Sequence, residues 1–271
     1  MRNTKIDWCD DTWNPVTGCL HKCEYYYARG IANRHAGSAE IDSLPDAMRR
    51  LINDTPCAAM NEPHHLASGK VAPYPLGFKP TLYRYRLDTP KKWSEPRTIF
   101  VCSMGDMFGE WMPDDFIVEV FRACEAAPQH RYLFLTKNPA RYFALDKAGL
   151  LPKKENFYYG ATADTEKRAY EWLMLLYTHN PTFHVFTSVE PMLENFRAEI
   201  AKGLCEYSPW VIVGAESGFR PGRVVPEKTW IARLVLACEA FGSHIFMKES
   251  LRAIMGPEDF VQEYPWEVRH E

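Results

Sequence analysis

The sequence predicts a parallel α/β barrel, full or partial, and three observations point there. From about residue 98 onward, short β-branched or aromatic runs alternate with helical patterns, the signature of repeated βα units around a parallel sheet. Most of these runs are continuously apolar, as expected of strands buried on both faces. At 271 residues and 46% hydrophobic content, the chain is long enough to bury such a core in one domain, residues 1–271.

Residues 12–16 (TWNPV) read as a first strand leading into the Gly18-Cys19 loop, although Pro15 weakens any strand that contains it. Residues 29–97 read as a long insertion, with short helices at 28–36 and 45–52 and a Pro/Gly/His-rich stretch at 62–80. Strands follow at 98–102 (TIFVC), 132–136 (YLFLT), 157–161 (FYYGA), 184–188 (HVFTS), 210–214 (WVIVG) and 244–248 (HIFMK). Pro113 with Asp114 and Asp115 opens a helix that places Phe116, Ile117, Val120, Phe121 and Cys124 on one face. Residues 227–241 repeat the pattern with Trp230, Ile231, Leu234, Val235, Cys238 and Phe241, and Gly242 ends that helix as a C-terminal cap.

A formal charge of −3 with 25% charged residues gives no global basic surface for nucleic acid or membrane. No apolar run approaches the roughly 20 residues of a membrane helix. The polar start Met1-Arg2-Asn3-Thr4-Lys5 has no signal-peptide core, so a cytoplasmic protein is expected. Eight cysteines in a chain this long, without such a signal, do not make a disulfide scaffold. Cys124 and Cys238 fall on apolar helical faces, where a buried free thiol is the ordinary expectation.

Cys19 and Cys23 are different, because two thiols four residues apart in one loop can face a single metal centre. A closed zinc site would need four ligands, and His21 between the cysteines has no clear fourth partner. The blocks Thr12-Trp13-Asn14-Pro15-Val16-Thr17-Gly18-Cys19, Cys23-Glu24-Tyr25 and Tyr27-Ala28 resemble the start of a phage-associated radical-SAM-like family of unknown function. Further blocks continue the resemblance in order along most of the chain. They are Phe100 to Phe108, Phe134 to Pro139, Ser188 to Met192 and Val213 to Gly218.

In the wider radical S-adenosylmethionine (SAM) superfamily, three cysteines in the pattern CxxxCxxC bind a [4Fe–4S] cluster whose open iron chelates SAM. The resemblance therefore implies a radical-SAM-like barrel, cluster and SAM as cofactors, reductive cleavage of SAM, an electron donor and an unknown substrate. It also assigns Cys19 and Cys23 as metal ligands and puts Tyr26 where the third cysteine belongs. A phenol is a poor substitute, since its pKa near 10 keeps it protonated and its oxygen is harder than a thiolate. Three explanations are open: an engineered substitution, a natural loss of radical chemistry, or completion of the cluster by another ligand. Cys9 belongs at the wrong end of its strand for that role, and Cys102, at the right end, is more simply a core thiol.

Ligands of parallel α/β barrels gather at the C-terminal ends of the strands. Polar residues there form a candidate cofactor site: Ser103, Gly105, Asp106, Lys137, Thr162, Glu190, Glu216 and Ser217, with Asp164, Lys248 and Glu249 on the same rim. The resemblance places Gly105 and Asp106 at a turn that meets the SAM amino group; each rim residue is otherwise a helix cap or a salt-bridge partner. Phe108, Trp111 and Trp210 are expected to pack in the core. Residues 79–97 carry Lys79, Arg84, Arg86, Lys91, Lys92 and Arg97 against Asp88 and Glu95, with Tyr83, Tyr85 and Trp93 interleaved. That mixture suits a nucleic-acid partner or, more simply, a solvated salt-bridged surface.

Overall fold

The computed structural model describes residues 4–36, 45–217 and 220–267. Met1, Arg2, Asn3 and Gly218 of the motifs above, and part of the insertion, lie outside the described residues. The chain divides into two compact units, Met1–Thr4 with Cys9–Pro152 and Lys5–Trp8 with Lys153–Glu271.

In the first unit, β1 (Asp11–Trp13) ends before Pro15, and the chain turns into β2 (Val16–Thr17). The single strand expected at 12–16 is thus two. Pro15 has no N–H for a ladder, and its carbonyl instead accepts from Tyr83 N at 2.7 Å. The expected insertion holds α1 (Tyr27–His35), α2 (Asp46–Asp54), β3 (Ala58–Met60) and β4 (Thr81–Tyr83). Strands β2, β4 and β3 form their own small sheet in that order, with β2 antiparallel and β3 parallel to β4.

Then come β5 (Thr98–Val101), α3 (Asp114–Glu125), β6 (Arg131–Thr136) and α4 (Ala140–Lys147). Strand β5 pairs in parallel with both β1 and β6, and all four of its residues are buried. Helix α3 starts after Pro113 with Asp114 and Asp115 in its first turn, where carboxylates oppose the positive end of the helix dipole. Its buried stripe is Ile117, Val120, Phe121 and Cys124; Phe116 instead lies under the Arg84 guanidinium, 5.2 Å from its ring centre.

The second unit repeats the βα rhythm: β7 (Phe157–Thr162), α5 (Glu166–His179), β8 (His184–Val189), α6 (Ala198–Tyr207), β9 (Trp210–Val213), α7 (Lys228–Phe241), β10 (His244–Met247) and α8 (Arg252–Met255). Strands β7, β8, β9 and β10 pair in parallel in that order. Gly242 ends α7 at φ 70°, a left-handed conformation that costs glycine little. Trp8 is fully buried here, its ring centre 6.3 Å from Phe186 and 6.2 Å from Trp210. No helix among the described residues is long and apolar enough to cross a membrane.

Candidate functional site

In the first unit the Cys19–Cys23 loop is fastened to the turn after β5 by two glycines. Gly18 adopts φ 86°, and a Cβ there would lie 2.3 Å from the Lys79 carbonyl carbon. A Cβ on Gly105 would meet Gly18 O at 2.7 Å, so the two backbones touch where only glycine fits. Gly18 N donates to Met104 O at 2.9 Å, and Asp106 N donates to Gly18 O at 3.3 Å. Asn14 holds the same turn, accepting from Ser103 Oγ at 3.2 Å and from Met104 N at 2.9 Å.

Asp106 is the buried hub. Thr136 Oγ1 donates to both of its oxygens at 2.9 Å, Phe108 N at 2.9 Å and Lys137 N at 3.0 Å, and His21 Nε2 lies 2.9 Å from Oδ2. Its carboxylate is therefore saturated by protein donors. His21 also packs edge-on against Trp111, with ring centres 4.9 Å apart. Trp111 is thus part of this loop's surroundings, whereas Phe108 is a core residue as expected.

Burial alone would raise the Asp106 pKa, but the His21 hydrogen bond and charge and the N–H groups of Lys137 and Phe108 outweigh it, and the carboxyl sits below its ordinary value. A depressed folded pKa gives stability that is complete above the unfolded value, about pH 4, and lost as pH falls through the folded value. Below about pH 4 the unfolding free energy of the wild type should fall more steeply than that of Asp106→Asn. Acid titrations with equal slopes would contradict this.

Cys19 is buried and its Sγ accepts from His21 N at 3.4 Å; burial, helped by the Asp106 charge, pushes its thiol up to about 12. Cys23 is half-buried. The hydroxyl of Tyr26 points at the β5 turn, donating to Ser103 O at 3.3 Å and Gly105 O at 3.4 Å. Burial of that hydroxyl, with Cys19 next in effect, holds the phenol well above its usual pKa. The Tyr26 ring packs on Phe78 at 5.5 Å between centres. Lys137 Nζ lies 5.5 Å from the Tyr25 ring and 5.9 Å from the Tyr26 ring.

Cys9 lies just before β1, and its neighbour Asp10 bonds Thr98, the first residue of β5. Cys102 is buried beyond the end of that strand at φ 63°, and burial raises its thiol pKa.

In the second unit the expected rim residues also sit at strand ends. Asp164, fully buried, takes a bidentate pair of bonds from Arg168 Nη1 at 2.6 and 2.8 Å. Glu190 pairs with Lys248. Glu216 is clamped by Arg220 at 2.7 and 2.8 Å, and Ser217 beside it is exposed. Thr162 is buried and in register with Ser188, whose buried Oγ finds no hydrogen-bond partner among the described residues. The neighbouring Thr187 faces the other way, bonding Trp172 Nε1 at 3.0 Å and Ser208. Ser188 was not singled out as a site residue, although the alternation of Thr187 and Ser188 along one strand carries the signal.

Residues 3–252 match a family described as a protein of unknown function, DUF5131. The chain belongs to the DUF5131 family. A comparison with curated proteins finds no match. Among solved structures, this DUF5131 chain is similar to a cysteine-to-serine mutant of spore photoproduct lyase. The identity is 12%, the TM-score is 0.52, and the match covers 92% of this chain and 81% of that one. The fold is accordingly α/β, parallel and radical-SAM-like.

The DUF5131 loop does not fit a [4Fe–4S] cluster held by three protein ligands. Within the loop only Cys19 and Cys23 offer sulfur, and the Tyr26 oxygen is a protonated donor engaged with two carbonyls. Among the described residues no three His, Cys, Asp or Glu side chains gather closely enough to hold a metal ion.

The basic segment is largely engaged internally. Arg84 grips Glu119 at 2.7 and 2.8 Å, Arg86 bonds Asn14 O at 3.1 Å, Arg97 pairs with Asp11, and Lys91 with Asp88.

Proposed function

We propose that this chain is a radical-SAM-type protein whose cluster chemistry is disabled at Tyr26 and whose strand ends keep a ligand site. The observation that carries this reading is the Tyr26 hydroxyl, which is bonded to Ser103 O and Gly105 O while its phenol pKa is raised. A neutral phenol whose hydroxyl is engaged with two carbonyls is a poor iron ligand, and reductive cleavage of SAM is expected to be lost here.

On the ligand side, Lys137 supplies a cation with no carboxylate partner among the described residues, suited to an anionic group such as an amino-acid carboxylate. Separately, within the second unit, the Ser188 hydroxyl beside Thr162 has no hydrogen-bond partner among the described residues and is a group that a polar ligand would satisfy. Asp106 supports the site by holding His21 and the Lys137 backbone, since its own oxygens are occupied.

Anaerobic incubation with SAM and a strong reductant should yield no 5′-deoxyadenosine above the protein-free background. Sustained turnover would overturn the proposal. The alternative, a non-catalytic barrel for nucleic acid or a protein partner, shares the lost chemistry; salt-sensitive retention of an oligonucleotide would favour it.

A further inference from the structure

We propose that Cys205 and Cys238 form a redox-modifiable thiol pair that closes to a disulfide between α6 and α7. The two sulfurs lie 2.9 Å apart in the second unit, and each side chain is 1% exposed. By contrast, Cys205 Sγ stands 3.8 Å from its other neighbour, Leu234 O. A disulfide has sulfurs about 2.05 Å apart, so an approach of about 0.9 Å completes the bond.

One residue holds both cysteines in place. Ser243 donates through Oγ to the Cys205 carbonyl and through its backbone N to the Cys238 carbonyl at 2.9 Å. Ser243 follows the Gly242 cap, so the end of α7 is pinned to the end of α6 beside the sulfurs. The buried cysteine of α3, Cys124, has no comparable sulfur–sulfur contact among the described residues of its unit.

The chemistry needs a two-electron oxidant, here a hydroperoxide. It oxidises one thiol to a sulfenic acid and is itself reduced to an alcohol, or to water when the oxidant is hydrogen peroxide. The second thiol then attacks that sulfur: the S–S bond forms, the S–O bond breaks, and the oxygen leaves as water. Both sulfurs are sealed, so the first step requires the α6–α7 seam to open and is slower than oxidation of half-buried Cys23. The cross-link ties together helices that pack on β9 and β10, the strands leading to Gly214, Glu216 and Lys248.

The test treats the folded full-length chain with hydrogen peroxide, alkylates the remaining thiols and maps the peptides without reduction. A linked Cys205–Cys238 peptide is expected, removed by dithiothreitol and absent from Cys205→Ser and Cys238→Ser. The oxidised chain should melt about 5 °C higher than the reduced one. Full alkylation of Cys205 and Cys238 after Cys23 has been oxidised would overturn the proposal. So would linkage of either to a different cysteine. Should a serine variant fail to fold, the wild-type peptide map decides alone.

Discussion

Gly18→Ala is expected to destabilise the first unit by about 2–5 kcal/mol, the sum of a left-handed backbone penalty and a backbone clash. At φ 86° an L-residue is strained by itself, and its Cβ would sit 2.3 Å from Lys79 C and O and 2.5 Å from Pro80 N. None of those atoms is the movable end of a side chain, so relief requires the loop to shift away from β4. Gly105→Ala has no left-handed penalty assigned to it, and its Cβ meets Gly18 O at 2.7 Å, so about 1–3 kcal/mol is expected. Urea unfolding followed by tryptophan fluorescence measures both. A Gly18→Ala midpoint equal to that of the wild type would show that the two loops are not fastened as described.

Asp106→Ala should cost about 3–5 kcal/mol, comparable to the loss of a buried hydrogen-bonded charge. The substitution strands the Thr136 hydroxyl and the Phe108 and Lys137 N–H groups, each buried or partly buried donor costing about 1–3 kcal/mol before relaxation. Asp106→Asn keeps the shape and one acceptor oxygen, and about 1–2 kcal/mol is expected. The ordering of the two variants is the informative result. If alanine were no worse than asparagine, the carboxylate would not be the hub that joins the cysteine loop to the ends of β5 and β6.

The six later strands were legible because most are nearly continuous apolar runs, the pattern of burial on both faces. The small sheet was not. Its strands have two or three residues each, too short for a period to show, and β2 meets β4 across more than sixty positions of sequence. Trp8 was illegible for the same reason, since its partners Phe186 and Trp210 are remote in the chain.

At the site, sequence placed Asp106 and Lys137 at strand ends but could not say which donors would claim the carboxylate. Thr136 and His21 do so, which makes Asp106 a support for the loop. The importance of Tyr26 was visible only against a cysteine pattern. That its hydroxyl turns to Ser103 O and Gly105 O is a three-dimensional fact that composition does not carry.

On the proposed reading, Tyr26 alone separates this loop from a cluster-binding one. Iron and acid-labile sulfide should be measured, with a visible absorption spectrum, on wild type and Tyr26→Cys purified without oxygen. Essentially no iron is expected in the wild type, and about four irons with matching sulfide in the variant. A wild-type chain that carries a full cluster, or a variant that carries none, would contradict it.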